Sequence, residues 1–296
     1  CSATGTGVTY GMPYVFSTRV LWYNSTALEA AGLPADPDLS TWDKVKAVAE
    51  QVTAKTGKPA LTISCAVKGG NWCMQGIFKS NGAAVLSDDR TTIEFGSPEA
   101  VGAVQMLRDL YDDGVLANLD SAAQYEAFAR GDSVIQLQTS VMQSTYMAAA
   151  EAGNWVLKDT VMPAFGDKPT VPTNSGSGLF MFSQDPAKQR AAWEFMKFMT
   201  SDRAYEVITT GIGYLPLRTS LTEGDGALAE WAAGNPLVEP NLKQLDRLQP
   251  WVSYPGNSYV QIDDILATAI EDSVFYGKDP EATMTDAQER AQALVP

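Results

Sequence analysis

Histidine is absent from the 296 residues. That removes the commonest general base and the commonest metal ligand, so Ser-His-Asp, Cys-His and histidine-based zinc chemistry are impossible within this chain. Basic residues are scarce: 21 Lys and Arg face 35 Asp and Glu, and the formal charge of −14 repels nucleic acid and anionic lipid surfaces. There is no run of about 18 or more apolar residues, so no transmembrane helix is encoded, and no charged-then-apolar secretory signal stands at the start. Cysteine occurs at Cys1, Cys65 and Cys73 alone, which offers too few ligands for a metal site. No internal repeat or low-complexity tract stands out.

The chain is long enough for one large or two ordinary domains, and its 45% hydrophobic content is that of a globular protein with a sizeable core. Val15, Phe16 and the run Val20-Leu21-Trp22-Tyr23 have the β-branched and aromatic character of buried strands. A helix follows to Ala31 and stops at Gly32. Ser40 or Thr41 caps a second helix, with Val45, Val48, Ala49 and Val52 at helical spacing and Trp42 packing into the core. Pro98 opens a third, striped by Val101, Val104, Leu107 and Leu110. Residues 165–178 read as a loop and hinge, 179–182 as a short apolar strand, and 191–200 as a helix apolar enough to be largely buried. Closing helices are expected over 263–276 and 279–294, broken at Gly277. Strands alternating with helices of this size give an α/β architecture.

Cys65 and Cys73 bracket a Gly-rich loop flexible enough for the sulfurs to meet in an oxidising compartment; two buried free thiols are the alternative. Cys1-Ser2-Ala3-Thr4-Gly5 has the form of a mature bacterial lipoprotein terminus, or marks only where the chain was cut. Aromatic residues also crowd two Gly- or Pro-containing loops: Trp72 follows Gly69-Gly70-Asn71, and residues 251–259 hold Trp251, Tyr254 and Tyr259.

Two segments carry a family resemblance. Gly211-Ile212-Gly213-Tyr214-Leu215-Pro216-Leu217, together with Tyr10-Gly11-Met12-Pro13-Tyr14 and Val20-Leu21-Trp22-Tyr23-Asn24, resembles the signatures of the family 1 extracellular solute-binding proteins of ABC importers. Thr41-Trp42 and Phe128-Ala129-Arg130-Gly131-Asp132-Ser133-Val134-Ile135 match further family motifs, with Leu39 where the family has proline. The resemblance implies a two-lobed, type II periplasmic-binding-protein-like fold whose crossings form a hinge. Residues 1–18 and 175–213 would make what remains of the first lobe, and 19–174 with 214–296 the second. The pattern begins partway into the family's first lobe, which favours a truncated or cleaved chain over a lipoprotein terminus at Cys1.

The same resemblance implies a receptor that catalyses nothing and needs no cofactor. It captures a carbohydrate, hands it to the permease subunits of an importer, works outside the cytoplasm as a monomer, and touches membrane only through a lipid anchor. A sugar site needs an aromatic plate and fixed hydrogen-bonding groups. The candidates are Trp72, Phe16, Ser17, Ser140, Gly176, Ser177, Tyr254, Asn257 and Tyr259, with Thr139 beside Ser140. The glycerophosphodiester branch of the family is the alternative. It carries an arginine after a late Gly-Asn, and none follows Gly256-Asn257 here, which favours a neutral sugar. A carboxylate-dependent glycoside hydrolase built on Asp263-Asp264 with Glu94 or Asp88-Asp89 stands further off, because paired acids at a helix start also serve the helix dipole. An adhesion or structural surface protein is the remaining class, and it would have no closed cleft.

Overall fold

The computed structural model describes residues 8–296; the Cys1 terminus therefore lies outside the described residues. In chain order the elements are β1 (Met12–Ser17), β2 (Arg19–Asn24), α1 (Ser25–Ala30), α2 (Trp42–Thr56), β3 (Leu61–Ile63), α3 (Met74–Asn81), α4 (Pro98–Asp112) and α5 (Ser121–Ala129). Then follow β4 (Ile135–Thr139), α6 (Gln143–Gly153), β5 (Leu157–Val161), β6 (Ser175–Leu179), α7 (Pro186–Met199) and α8 (Asp202–Ile212). The chain ends with α9 (Ala229–Gly234), α10 (Glu239–Lys243), α11 (Tyr259–Phe275) and α12 (Pro280–Gln292). Among the described residues no helix is long and apolar enough to cross a membrane.

The main sheet has the order β3-β4-β2-β5. Its centre, β2, is buried along its whole length. Leu21 and Tyr23 join the larger core with α2, α3, α4 and α11, while Val20 and Trp22 point to a second cluster with Phe128 and Tyr146. A strand covered on both faces reads as an unbroken apolar run rather than an alternating one, which is why 20–23 stands out in the sequence. Helix ends are written locally. Thr41 accepts from the Lys44 amide ahead of α2, and Gly57 closes that helix at φ 72°. Ser97 caps α4 with Pro98 in its first turn.

The second sheet is the antiparallel pair β1–β6, with Phe16 opposite Gly176 and Ser17 opposite Ser175. Leu215 donates its amide to the Phe16 carbonyl at 2.9 Å, so the returning chain crosses beside the outgoing one. A Cβ on Gly176 would run into the Val15 carbonyl oxygen and lie 2.9 Å from Phe16 Cα; glycine there permits the close approach of the two strands.

Four expectations change. The strand expected over 179–182 lies at Ser175–Leu179 instead, and Phe180 and Phe182 are exposed. The loop expected over 165–178 therefore ends at 174. The helix through 191–200 forms, but it is not buried: Met196 alone is covered, while Trp193, Phe195 and Phe198 are 47%, 60% and 59% exposed. Its main packing partner is α8, and the two-stranded sheet is too narrow to cover a helix that is apolar on several sides. Finally, α11 starts at Tyr259, four residues earlier than expected.

Candidate functional site

A cavity of about 320 Å³ opens where the crossing strands meet the main sheet. Ser17 and Ser175 reach it from the β1–β6 pair, Gln138 and Thr139 from the end of β4, Tyr125 from α5, and Tyr214 from the second crossing. A further wall is the loop Ser64 to Trp72, which the Cys65–Cys73 disulfide (S–S 2.02 Å) ties at both ends. Gly70 lets that loop fold tightly, since a Cβ there would collide with the Ser64 carbonyl. The clamp and the glycine together set Trp72 half-buried at the cavity edge.

Trp72 covers Arg19, whose guanidinium carbon lies 4.1 Å from the indole centroid. Arg19 opens β2 and is only 4% exposed. Its main-chain carbonyl accepts from Gln244 Nε2 at 2.7 Å, and Gln244 also donates to Thr18 Oγ1 at 3.0 Å, so α10 and the segment after it fix the strand start. One terminal nitrogen donates to Gln138 Oε1. That oxygen also accepts from Ser64 Oγ at 3.3 Å and the Thr139 amide at 2.8 Å, which locks the glutamine. Burial lowers the Arg19 pKa to about 9, with the neighbouring Tyr125 and Tyr146 acting in the opposite sense. The guanidinium is a cation at neutral pH in any case. Thus the cavity presents the Trp72 ring with two tyrosines, one buried cation, fixed amide and hydroxyl groups, and no carboxylate among its lining residues. Such a surface can hold a polar solute by stacking and hydrogen bonding.

The sequence candidates divide. Trp72 and Ser17 line the cavity, as does Thr139. Phe16 sits half-buried at the strand crossing, paired with Gly176. Ser140 is 1% exposed and its hydroxyl has no partner, but its neighbours Thr139 and Val141 form the wall in its place. Gly176 and Ser177 are exposed outside the lining, which Ser175 joins instead. The late aromatic loop goes elsewhere. Tyr254 is 4% exposed, packed edge-on against Phe95 in the main core, and burial pushes its phenol pKa far up. Tyr259 starts α11 and packs on Trp251 and Tyr254, while Asn257 lies exposed in a turn. Those three do not reach the cavity, because their loop folds its rings inward against α11. Arg19, Gln138 and Tyr125 were missed. The one signal was a charged residue heading the most apolar strand of the chain.

A family model described as bacterial extracellular solute-binding protein matches residues 2–237, well over half of the sequence. The chain belongs to that family. This solute-binding protein is similar to the sn-glycerol-3-phosphate-binding periplasmic protein of Pectobacterium atrosepticum, at 26% identity over 96% of this chain. It spans only 65% of the length of that relative. Putative binding proteins of Brucella abortus are 25% identical over 98% of the chain and 68% of their own length. In structure, the cyclic alpha-maltosyl-1,6-maltose binding protein from Arthrobacter globiformis superposes with a TM-score of 0.82 at 22% identity, over 98% of this chain and 73% of that one. UgpB from Mycobacterium tuberculosis in complex with glycerophosphocholine gives 0.83 at 22% identity, over 98% and 71%. At such identities the likeness establishes the α/β solute-binding fold, and ligand choice is left to the site.

Proposed function

We propose that this chain is the ligand-capturing part of an extracytoplasmic receptor that binds a carbohydrate and delivers it to the permease subunits of an ABC importer. Among the described residues, 8–18 with 175–213 act as one lobe and 19–174 with 214–296 as the other; the crossings at 17–19 and 213–215, with the segment before β6, form the hinge. The bare face of α7 belongs to the smaller lobe. The observation that carries this reading is the placement of Trp72 over Arg19 in a cavity whose walls come from both sheets. Closure would then be driven by the ligand's differential affinity for the shut form. The protein acts as a monomer and meets the membrane through a lipid anchor.

A glycerophosphodiester receptor is the second reading, supported by the printed specificities of the Pectobacterium relative and the Mycobacterium complex. A glycoside hydrolase has less support. The named relatives are binding proteins, and Asp264 is engaged on the surface with Lys68 at 3.2 Å. The test is a thermal-shift screen of the natural polypeptide against mono-, di- and oligosaccharides and glycerophosphocholine. A ligand that saturates the native state alone at about a hundred times its Kd adds about 2.7 kcal/mol of stability and must raise Tm. A folded sample that responds to none of them rejects the receptor reading.

A further inference from the structure

The described chain passes three times between the β1–β6 pair and the body built on the main sheet: at Thr18, through residues 172–174 ahead of β6, and after α8 at Gly213 to Leu215. Two of these connections are held from one place. Thr18 is fully buried, and its hydroxyl donates to Asn241 Oδ1 of α10 at 2.5 Å. The same hydroxyl accepts from Gln244 Nε2 at 3.0 Å, and that nitrogen also donates to the Arg19 carbonyl at 2.7 Å. Gln244 Oε1 accepts from the Met162 amide just past β5 at 3.4 Å, which anchors the arrangement in the main sheet. Five residues further on, the Gln249 amide donates to the Pro172 carbonyl at 3.0 Å, and Thr173 bridges to Gln249 in parallel register. The remaining connection is tied in through Ser140. Its amide donates to the Thr18 carbonyl at 3.0 Å, and a Cβ on Gly213, where φ is 102°, would stand 3.0 Å from its carbonyl oxygen. Asn241 and Gln244 are both buried, and neither lines the cavity at the crossing strands.

We propose that residues 241–249 brace the crossings, and that Asn241 and Gln244 are positioning residues for ligand capture. They touch no ligand, yet they fix the direction in which the β1–β6 pair leaves the main sheet. This deepens the receptor reading above and rests on it. Ser17 stands just before the braced Thr18 and Ser175 two residues beyond Thr173, and the two serines pair across β1–β6. A turn of the chain at either connection therefore carries both serines together past Gln138 and Thr139 on the opposite wall. Because one segment holds both connections, neither turns alone. The bending that a hinge needs falls on the β1–β6 side of Thr18 and Thr173. Buried amides that lose a partner are costly, so the network keeps a single arrangement. Without the brace the unliganded protein samples more orientations of the pair, and a ligand has to order them as it binds.

The test is amide hydrogen exchange on the unliganded natural polypeptide, comparing wild type with Thr18→Val, which removes the hydroxyl, and Thr18→Ser, which keeps it. In Thr18→Val the Ser140 and Leu215 amides and those of the β1–β6 pair are expected to exchange about tenfold faster, with α4 and α11 unchanged. Thr18→Ser should return the wild-type rates. Unchanged rates at the crossings overturn the brace, and so does equal acceleration in α4 and α11, which would make Thr18 an ordinary core contact. Calorimetric titration with glucose, maltose, maltotriose and glycerophosphocholine then reads the consequence for capture. The affinity of whichever binds should fall about threefold or more in Thr18→Val and recover in Thr18→Ser. Faster exchange with unchanged affinity overturns the positioning role and leaves the receptor reading intact. If none of the four binds the wild-type protein, the positioning role falls with the receptor reading, while the exchange rates still decide the brace. Should Thr18→Val fail to fold, Gln249→Pro takes its place. The Gln249 side chain is exposed, and Leu248 before it already has the extended backbone (φ −65°, ψ 128°) that proline favours in its predecessor. That variant deletes only the amide given to Pro172, and it should speed exchange about tenfold in β6 and not in α4 or α11. Unaltered β6 rates overturn the brace.

Discussion

Arg19 and Asp159 sit on the adjacent strands β2 and β5, each with a buried side-chain atom that has no hydrogen-bond partner. They meet the same difficulty in opposite ways. Asp159 lies beside a cavity of about 1060 Å³ along the β5 edge, and burial, reinforced by Glu239, pushes its pKa up to about 8. At neutral pH it escapes its charge by keeping a proton. A guanidinium has no such escape, because it stays protonated throughout the physiological range. The larger cavity therefore carries a group at rest, and the smaller one a standing charge with an aromatic cover. Size alone points to the β5 edge; the chemistry of the unpaired group points to the other cavity.

Replacing Asp159 is the strongest way to break this contrast. Its folded pKa of about 8 exceeds the ordinary carboxylate value of 3.8, so between about pH 4 and pH 8 the native state holds a proton that the unfolded chain has released. Stability then falls as pH rises through that window and levels off above it, by at most about 1.4 kcal/mol per pH unit. Asp159→Asn should flatten the profile and exceed wild-type stability by roughly 2–4 kcal/mol at pH 8.5. Urea titrations at pH 5, 7 and 8.5 provide the measurement. Parallel profiles for the two proteins would show that the carboxylate is not forced neutral, and the comparison with Arg19 would lose its basis.

The clamp behind Trp72 is next in size. Cys65 and Cys73 close a loop of sequence separation 8, for which the chain-entropy model gives about 2.5 kcal/mol. The double variant Cys65→Ser, Cys73→Ser should lose about that much in denaturant and bind ligand more weakly, because Gly69, Gly70 and Trp72 are no longer held against Arg19. The pH profile contributed by Asp159 should be untouched. Undiminished affinity in the unclamped protein would mean that packing alone sets the plate.

Much of this was open to sequence reasoning. Period and capping residues located α2 and α4 to within a residue or two, and the apolar run of β2 announced its central place. What failed needed the third dimension. The apolarity of α7 is a property of the helix, but its burial depends on what lies opposite, and the narrow β1–β6 pair covers little of it. Trp72 and Tyr254 sit in loops of similar composition; only the fold turns one ring towards a cavity and the other into the core. Ser175 lines the cavity and Ser177 does not, and of the expected pair Thr139 lines it while Ser140 does not. In a strand or a tight turn such steps decide whether a side chain reaches a cavity. Arg19 looked like a strand flank, and its lack of a carboxylate partner is visible only once every acidic residue has a position.

The finest test separates the two aromatic loops by function. Trp72→Ala removes the plate and leaves the guanidinium in place, so ligand affinity should fall about tenfold, equivalent to 1.4 kcal/mol. The cost to stability should be smaller than for a core aromatic, since the ring is only half-buried at a cavity edge. Asn257→Ala, in the exposed turn before α11, should change stability by less than about 0.5 kcal/mol and affinity not at all. Paired calorimetric titrations of the two variants compare the loops directly. If Asn257→Ala weakens binding as much as Trp72→Ala, the ligand must reach across to the late loop. The cavity beside Arg19 would then be one end of a larger site, and the charge on Arg19 would have to be weighed against groups that now stand well apart from it.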